Sequence, residues 1–249
     1  MIKRELYMSR IRPFIGTDLI KVITGIRRCG KSVMLKLIQQ ELTESGISPK
    51  QFISINFEDM NYFHLQTAQA LHDEIRAKAS EMEGKVYLFF DEIQEVKDWE
   101  KCINSFRVSL DCDIYITGSN ANLLSSELAT YLGGRYVEFV IYPFSFKEFM
   151  ELYRSITPDA SIQQCFQKYL IVGGMPYLSN IRYAEAPSKQ YLQDLFNSVQ
   201  LKDIMKRNKI RDVDLLERII TYVIANVGTT FSASSLAKFL KSERRTVSP

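Results

Sequence analysis

The sequence has few cysteines, and no two of them form a CxxC pair. Cys29, Cys102, Cys112 and Cys165 are scattered over 249 residues, whereas zinc sites and disulfide frameworks are built from closely or regularly spaced cysteines. We therefore expect neither a zinc ion nor a disulfide framework. A reducing compartment is the simpler expectation, and we predict a cytoplasmic protein.

Long apolar runs are also lacking. No stretch approaches the roughly 20 apolar residues that a membrane helix needs. The N-terminal segment, MIKRELYMSRIRPFIG, contains basic residues but no apolar stretch as long as a secretory signal requires. We therefore expect no membrane association.

Neither sign of charge dominates the composition. The chain has 32 lysines and arginines against 29 aspartates and glutamates, and nucleic-acid binding is indicated only where basic residues concentrate on one face. With 46% hydrophobic and 24% charged residues, the chain is not of the disordered or collagen-like class. Its length suits one α/β domain of ordinary size with a helical unit appended.

Short apolar runs alternate with segments of helical periodicity in the first part of the chain. We predict strands at 19–24, 52–57, 86–90, 114–117 and 136–142, and helices between them at 31–44, 66–82, 99–110 and 123–132. The run at 86–90 is apolar throughout, as is typical of a central strand in a parallel sheet covered on both faces. The predicted fold class is α/β, with a parallel sheet of about five strands and helices on both faces.

Strand signals stop after the fifth predicted strand. The remainder has helical periodicity, with helices predicted at 146–153, 162–172, 188–206 and 213–226. We place a domain boundary near Pro158.

The segment Gly25-Ile26-Arg27-Arg28-Cys29-Gly30-Lys31-Ser32 fits the pattern G-x-x-x-x-G-K-[ST]. It lies between a predicted strand and a predicted helix, the context that a phosphate-binding loop requires. In such a loop backbone N–H groups wrap the phosphates, and glycines permit the close approach. We expect Lys31 to bridge the β- and γ-phosphates of a nucleotide, Ser32 to ligate Mg²⁺, and the helix N-terminus to add its positive dipole end.

Cys29 within this loop and Val33 directly after it each carry a further prediction. Cys29 at a helix N-terminus could be an unusually acidic thiol; the alternative is a small residue that the loop tolerates. Val33 completes the predicted nucleotide site. It also opens an apolar stripe that we expect to face the sheet, formed by Val33, Leu35, Leu37, Ile38 and Leu42.

An acidic pair, Asp91-Glu92, directly follows the apolar strand 86–90. Carboxylates that follow a strand lie at the sheet edge where open α/β folds bind ligands. We expect Asp91 to hold Mg²⁺ and Glu92 to polarise an attacking water. A strand and a helix separate the loop from this pair, which leaves room for an extra strand between the two in the sheet.

The chain carries GIRRCGKS, LFFDEIQE, ITGSNA, LGGRYVEFVIYPFSFKEF and GGMP in this order. It resembles the prokaryotic AAA+-type P-loop ATPases that carry a C-terminal domain of unknown function, over about residues 1 to 240. The loop and the acidic pair are generic to the superfamily, whereas GR…PFSFKEF and GGMP point to this group. The resemblance implies an ATPase core at 1–157, a helical lid at 158–227, and at 228–249 the start of a winged-helix-like segment.

The same resemblance implies roles for residues near the fourth and fifth strands. Ser119 or Asn120 would be a polar sensor of the γ-phosphate, with a plain turn as the alternative. Arg135 would be a finger for γ-phosphate charge, acting in cis or on a neighbouring subunit of a homo-oligomer. The alternative for Arg135 is a structural arginine paired with a nearby carboxylate. A recognition helix of the winged unit is expected to begin near Thr246.

The predicted function is binding of ATP with Mg²⁺, and its hydrolysis to drive a conformational change that acts on a protein or nucleic-acid partner. Two alternatives stay open: a non-hydrolytic ATP-responsive regulatory or DNA-associated module, and a P-loop kinase of small molecules. Glu92 beside Asp91 favours water over an acceptor hydroxyl. GTP is disfavoured because the sequence has no N/T-K-x-D string, so adenine is preferred by elimination.

Overall fold

The computed structural model describes residues 2–118, 132–199, 212–230 and 232–240. The described strands are β1 Ile20–Thr24, β2 Phe52–Asn56, β3 Val86–Asp91, β4 Cys112–Thr117 and β5 Tyr136–Val140. The described α-helices are α1 Glu5–Ile11, α2 Lys31–Glu44, α3 Ala68–Ser80, α4 Trp99–Ser109, α5 Phe146–Ile156, α6 Ile162–Val172, α7 Glu185–Val199, α8 Val213–Ala225 and α9 Ala233–Phe239. The predicted helix at 123–132 lies outside the described residues except for Leu132.

The five strands form one parallel sheet in the order β2-β3-β4-β1-β5. This confirms the predicted α/β class and the expected extra strand, since β4 lies between β1, which precedes the loop, and β3, which precedes the acidic pair. Because all strands run in one direction, their carboxyl ends meet at a single edge. The segments that follow β1, β3 and β4 therefore converge there.

The central strands β3 and β4 are buried at every position, as expected for a sheet covered on both faces. On one face Phe90 packs among apolar residues that include Phe106 of α4. On the other, Phe89 packs with a cluster that includes Met8 of α1 and Ile38 of α2. Alternation along β3 thus sends successive aromatic rings into two separate cores.

Helix α2 buries most of the predicted apolar stripe but not its first member. Leu35, Leu37, Ile38 and Leu42 are buried. The prediction that Val33 faces the sheet is wrong, since its side chain is 38% exposed. Met34 is fully buried instead, because it lies four residues before Ile38 and so shares the sheet-facing side of a helix with 3.6 residues per turn.

The chain after β5 remains packed on α5. The Phe144 N–H donates to the Gly174 carbonyl at 2.7 Å, and the Phe149 ring lies 5.2 Å from that of Tyr169 and 4.9 Å from that of Tyr183. These contacts join the segments on either side of Pro158. The first compact unit accordingly runs from Met1 to Gln190, and the expected boundary near Pro158 lies within it.

The second compact unit comprises Tyr191–Pro249. Within it α8 and α9 pack together through the rings of Tyr222 and Phe239, whose centroids are 4.8 Å apart. The Tyr222 hydroxyl also donates to Ser235 Oγ at 3.1 Å. The recognition helix expected from Thr246 lies outside the described residues, so the winged-helix assignment stays a prediction. In the described part of the chain, no helix has the length and apolar character needed to cross a membrane.

Candidate nucleotide-binding site

The loop between β1 and α2 depends on glycine at both of its ends. Gly25 has φ of 148°, and a Cβ atom there would lie 2.2 Å from the Ile141 carbonyl oxygen. Gly30 precedes α2 with φ of 106°. Residues other than glycine rarely adopt such φ angles, so a side chain at either position would strain the turn from strand to helix. The loop thus has the backbone that the sequence predicts.

A cavity of about 440 Å³ opens beside this loop, a volume within the range of about 300–1,000 Å³ typical of ligand sites. Its lining consists of Arg27, Arg28, Gly30, Lys31, Ser32, Val33, Glu58, Glu92, Pro176, Tyr177 and Asn180. Three cationic side chains, a helix N-terminus and a serine hydroxyl suit an anionic phosphate chain. Five residues of the predicted loop, together with Val33 and Glu92, therefore share one cavity.

Lys31 and Glu92 lie against each other in the lining. The Lys31 Nζ atom is 3.6 Å from Glu92 Oε1 and donates to the Gly25 carbonyl at 3.3 Å. Glu92 follows β3 with φ of 54°, and its Oε2 accepts a hydrogen bond of 2.6 Å from Gln94 Nε2. The structure thus brings together the expected phosphate-binding lysine and the expected catalytic carboxylate.

Asp91 is buried at the end of β3, and the Thr117 hydroxyl of neighbouring β4 donates a hydrogen bond to its Oδ1. The backbone N–H of Glu92 donates to the same hydroxyl at 3.0 Å. Hard cations such as Mg²⁺ take oxygen ligands. Of the two predicted metal ligands, Ser32 lines the cavity and Asp91 does not, so the magnesium site stays a prediction.

Arg135 lies at the amino-terminal ends of the strands, whereas the loop lies at their carboxyl ends. The Arg135 carbonyl accepts a hydrogen bond from the Ile20 N–H at the start of β1, whereas the loop follows the end of that strand. At about 3.3 Å per residue, the length of β1 separates the two by roughly 15 Å. The Arg135 guanidinium donates to Asn104 Oδ1 at 3.1 Å, an amide rather than the expected carboxylate. The structure does not bring Arg135 to the loop of its own chain.

The predicted sensors Ser119 and Asn120 lie outside the described residues and stay predictions. Strand β4 ends near the loop. The N–H of Gly118, which follows β4, donates to the Ile23 carbonyl of β1 at 3.4 Å. Among the other predicted loop residues, Gly25, Ile26 and Cys29 do not line the cavity. The Ile26 side chain is half-exposed.

The hypothesis of an acidic Cys29 thiol is wrong. Cys29 is fully buried, and this burial raises the pKa of the thiol despite the opposing charges of Lys31 and Arg4. Its sulfur lies 2.7 Å from the position that a Cβ atom on Gly25 would occupy. Cys29 thus packs inside the loop as a small buried residue.

Several residues of the site carry no role in the sequence-based prediction. They are Glu58, Thr117, Pro176, Tyr177 and Asn180. Pro176 belongs to the GGMP segment, and its Cγ lies 4.0 Å from where a Cβ atom on Gly30 would be. In the sequence, the only signal that this segment contributes to the site is its place among the motifs of the resembled family.

Residues 17–150 match the family model described as AAA domain, which is more than half of the chain. The chain belongs to this AAA domain family. Residues 163–249 match a second family, described as Domain of unknown function (DUF8612). Both matches agree with the resemblance stated from the sequence motifs.

Two relatives of this AAA protein carry the name "uncharacterized protein". One, from Haemophilus influenzae, is 40% identical over 245 residues, which cover 98% of this chain and 60% of the relative. The other, MJ1544 of Methanocaldococcus jannaschii, is 30% identical over 230 residues, covering 89% of this chain and 50% of the relative. The chain thus spans about half to three fifths of these relatives.

Similar solved structures include a mutant of RuvB from Thermotoga maritima, with 17% identity and a TM-score of 0.43 over 97% of this chain and 81% of that one. Another is Orc1 of Aeropyrum pernix in complex with DNA, with 11% identity and a TM-score of 0.44 over 96% of this chain and 76% of that one.

Proposed function

We propose that this AAA protein binds ATP with Mg²⁺ and hydrolyses it. The observation that carries the proposal is the 3.6 Å contact between Lys31 Nζ and Glu92 Oε1 at the phosphate-loop cavity. A cation suited to phosphate and a carboxylate suited to polarising water meet there at the same point. The order of the strands supports the proposal, because it places both residues at one edge of the sheet.

Each residue has a distinct part in this proposal. The loop N–H groups and Lys31 would bind the phosphates, and Ser32 and Asp91 would hold the magnesium ion. The ion, when bound, neutralises charge on the phosphate oxygens. Glu92 accepts a proton from the attacking water. Because phosphates compete for the Lys31 ammonium, nucleotide binding would release Glu92 from that contact and leave the Gln94 amide to orient it.

The test compares ATP turnover by the wild type, Lys31→Ala and Glu92→Gln. We expect Lys31→Ala to lose nucleotide binding, and Glu92→Gln to retain binding while its turnover falls by roughly 100-fold or more, the lower range for a general base. Full turnover by Glu92→Gln would contradict its catalytic role. Phosphate appearing on an added small metabolite instead of in solution would favour the kinase alternative.

We further propose that the nucleotide cycle changes the conformation of the chain. The cavity is lined both by the loop and by residues 176–180, which follow helix α6 in the same compact unit. A bound nucleotide would contact both segments, so its loss would remove a contact between them. A protein or nucleic-acid partner, a homo-oligomer and a cytoplasmic location belong to the same proposal.

A further inference from the structure

Arg4, just before helix α1, has one of the most buried charged side chains among the described residues, with 2% of it exposed. Its guanidinium lies over the rings of Tyr7 and Phe144, 4.6 and 5.1 Å from their centroids. Burying a guanidinium costs free energy unless hydrogen bonds and an opposite charge compensate it. The buried Arg4 guanidinium therefore needs acceptors and an opposite charge close to it.

The guanidinium binds acceptors in two segments that are far from Arg4 in sequence, the phosphate loop and residues 142–148. Nη1 donates to the Cys29 carbonyl at 3.1 Å, Nη2 donates to the Tyr142 carbonyl at 2.8 Å, and Nε donates to Glu148 Oε1 at 2.9 Å. A guanidinium is planar and presents its donors in fixed directions. It therefore holds these acceptors in a fixed arrangement, and one of them belongs to the phosphate loop.

The bond to Cys29 orients one peptide unit of that loop. No peptide bond among the described residues is cis, and in a planar trans peptide the C=O of Cys29 and the N–H of Gly30 point in opposite directions. Gly30 lines the cavity and Arg4 does not. Since Arg4 holds the carbonyl on its own side, the N–H of Gly30 is directed away from Arg4.

Gly30 itself does little to restrict rotation of the Cys29–Gly30 peptide plane. Glycine has access to more backbone conformations than any other residue, and a loop that presents N–H groups to an anion must keep its carbonyls turned outward. A rotated unit would instead present the Cys29 carbonyl oxygen to the phosphates and repel them. An external hydrogen bond to that carbonyl prevents the rotation.

We propose that Arg4 is a positioning residue of the nucleotide site, which acts through the Cys29–Gly30 peptide unit to present the Gly30 N–H to phosphate. This inference rests on the proposed nucleotide binding. Arg4 does not touch the nucleotide, and its effect passes through a backbone donor. Backbone donors of such loops contact the α- and β-phosphates, so the effect applies to ADP and ATP alike.

The experiment measures binding of ADP and of ATP, each with Mg²⁺, by titration calorimetry with the whole chain. We expect Arg4→Met to weaken both affinities by the same factor, roughly tenfold, which is the size expected for one lost charged hydrogen bond. Arg4→Lys should weaken them less, because an ammonium can donate to Cys29 but cannot reproduce the planar fork. Arg12→Met is the matched control, since Arg12 is 41% exposed and pairs with Glu5 and Glu41; its affinities should equal those of the wild type.

A second readout follows the Gly30 amide directly. With ¹⁵N-labelled glycine, the Gly30 resonance is the one that disappears in Gly30→Ala, and we expect it to shift on addition of ADP in the wild type. At saturating ADP the shift should be reduced in Arg4→Lys. A purely structural role would lower the melting temperature without changing this shift.

The outcomes separate the two proposals. If the wild type and the folded Arg4 variants bind ADP equally well, the inference on Arg4 is overturned and the nucleotide site stands. If the wild type binds neither nucleotide, the proposed function fails and the inference fails with it. Should Arg4→Met not fold by circular dichroism, Arg4→Lys decides, because it keeps the positive charge beside Glu148.

Discussion

The Thr117 hydroxyl donates a hydrogen bond to Asp91 Oδ1 and so joins the ends of two neighbouring strands. Its oxygen also accepts a bond from the Glu92 N–H. One threonine therefore fixes the side chain of the first acidic residue and the backbone of the second.

We predict that Thr117→Val lowers ATP turnover about tenfold and destabilises the fold by about 1–3 kcal/mol, because the buried Asp91 carboxylate and the Glu92 N–H both lose a partner. Valine has the shape of threonine, so packing is preserved. Turnover assays and urea unfolding check both effects. Thr17→Val is the control, since the Thr17 hydroxyl donates to the Phe14 carbonyl before β1, away from the loop. Unchanged turnover in Thr117→Val would show that the bond does not serve catalysis.

A second prediction concerns two adjacent glycines of the GGMP segment. A Cβ atom on Gly174 would lie 2.1 Å from the Phe144 carbonyl oxygen, whereas one on Gly173 would have no neighbour within 4 Å. Gly174→Ala should therefore destabilise the chain by about 3 kcal/mol, because backbone must move. Gly173→Ala should cost about 2 kcal/mol, the strain of its φ of 69° with a ψ of −168°, a combination that costs residues other than glycine about 1–3 kcal/mol. Equal unfolding free energies for the two variants would contradict the close approach at Gly174.

Local sequence patterns predicted the elements of the first unit well. Helices α2 and α6 begin and end at the predicted residues, 31–44 and 162–172, because an apolar period and a stop signal define both ends. The phosphate loop and acidic pair followed from residue types whose chemistry is specific at that spacing. These features depend on neighbours within one element or one turn.

The rest of the site depends on contacts between residues far apart in sequence. Arg4 meets the loop 25 residues later, and Pro176 approaches Gly30 across 146 positions. No periodicity reports such pairs, because it indicates only which side of an element is buried. The short helix α1 was missed for the same reason. Its burial of Tyr7, Met8 and Ile11 becomes evident only against the sheet it covers.

A third prediction concerns acid stability. Burial alone would raise the pKa of Glu148, but hydrogen bonds from Arg4 and Ser145 hold it below its usual value of 4.5. A carboxyl with a lowered folded pKa stabilises the fold fully above its unfolded pKa, and this contribution is lost as pH falls through the folded pKa. Glu148→Gln should therefore be about 1–3 kcal/mol less stable at pH 7. The difference from the wild type should shrink as the pH falls below the usual glutamate pKa of 4.5.

Thermal unfolding of both proteins from neutral pH down to about pH 3, below the ordinary pKa of a glutamate, checks this. Glutamine keeps the size of the side chain and does not titrate, so other acidic groups contribute equally to both curves and cancel in the difference. Parallel curves over the whole range would show that Glu148 does not titrate with folding.

The last prediction concerns Arg135, whose carbonyl pairs with the start of β1, one strand length or roughly 15 Å from the loop that follows this strand. A role in γ-phosphate chemistry then requires a neighbouring subunit, and we expect Arg135→Ala to bind ATP normally while turning it over slowly. Mixing it with Lys31→Ala should restore part of the turnover, because the first variant supplies an intact loop and the second an intact arginine. Asn104→Ala is the control, since it removes only the amide that Arg135 contacts. If turnover in the mixture stays at the level of the separate variants, Arg135 is a structural partner of Asn104 and not a finger in trans.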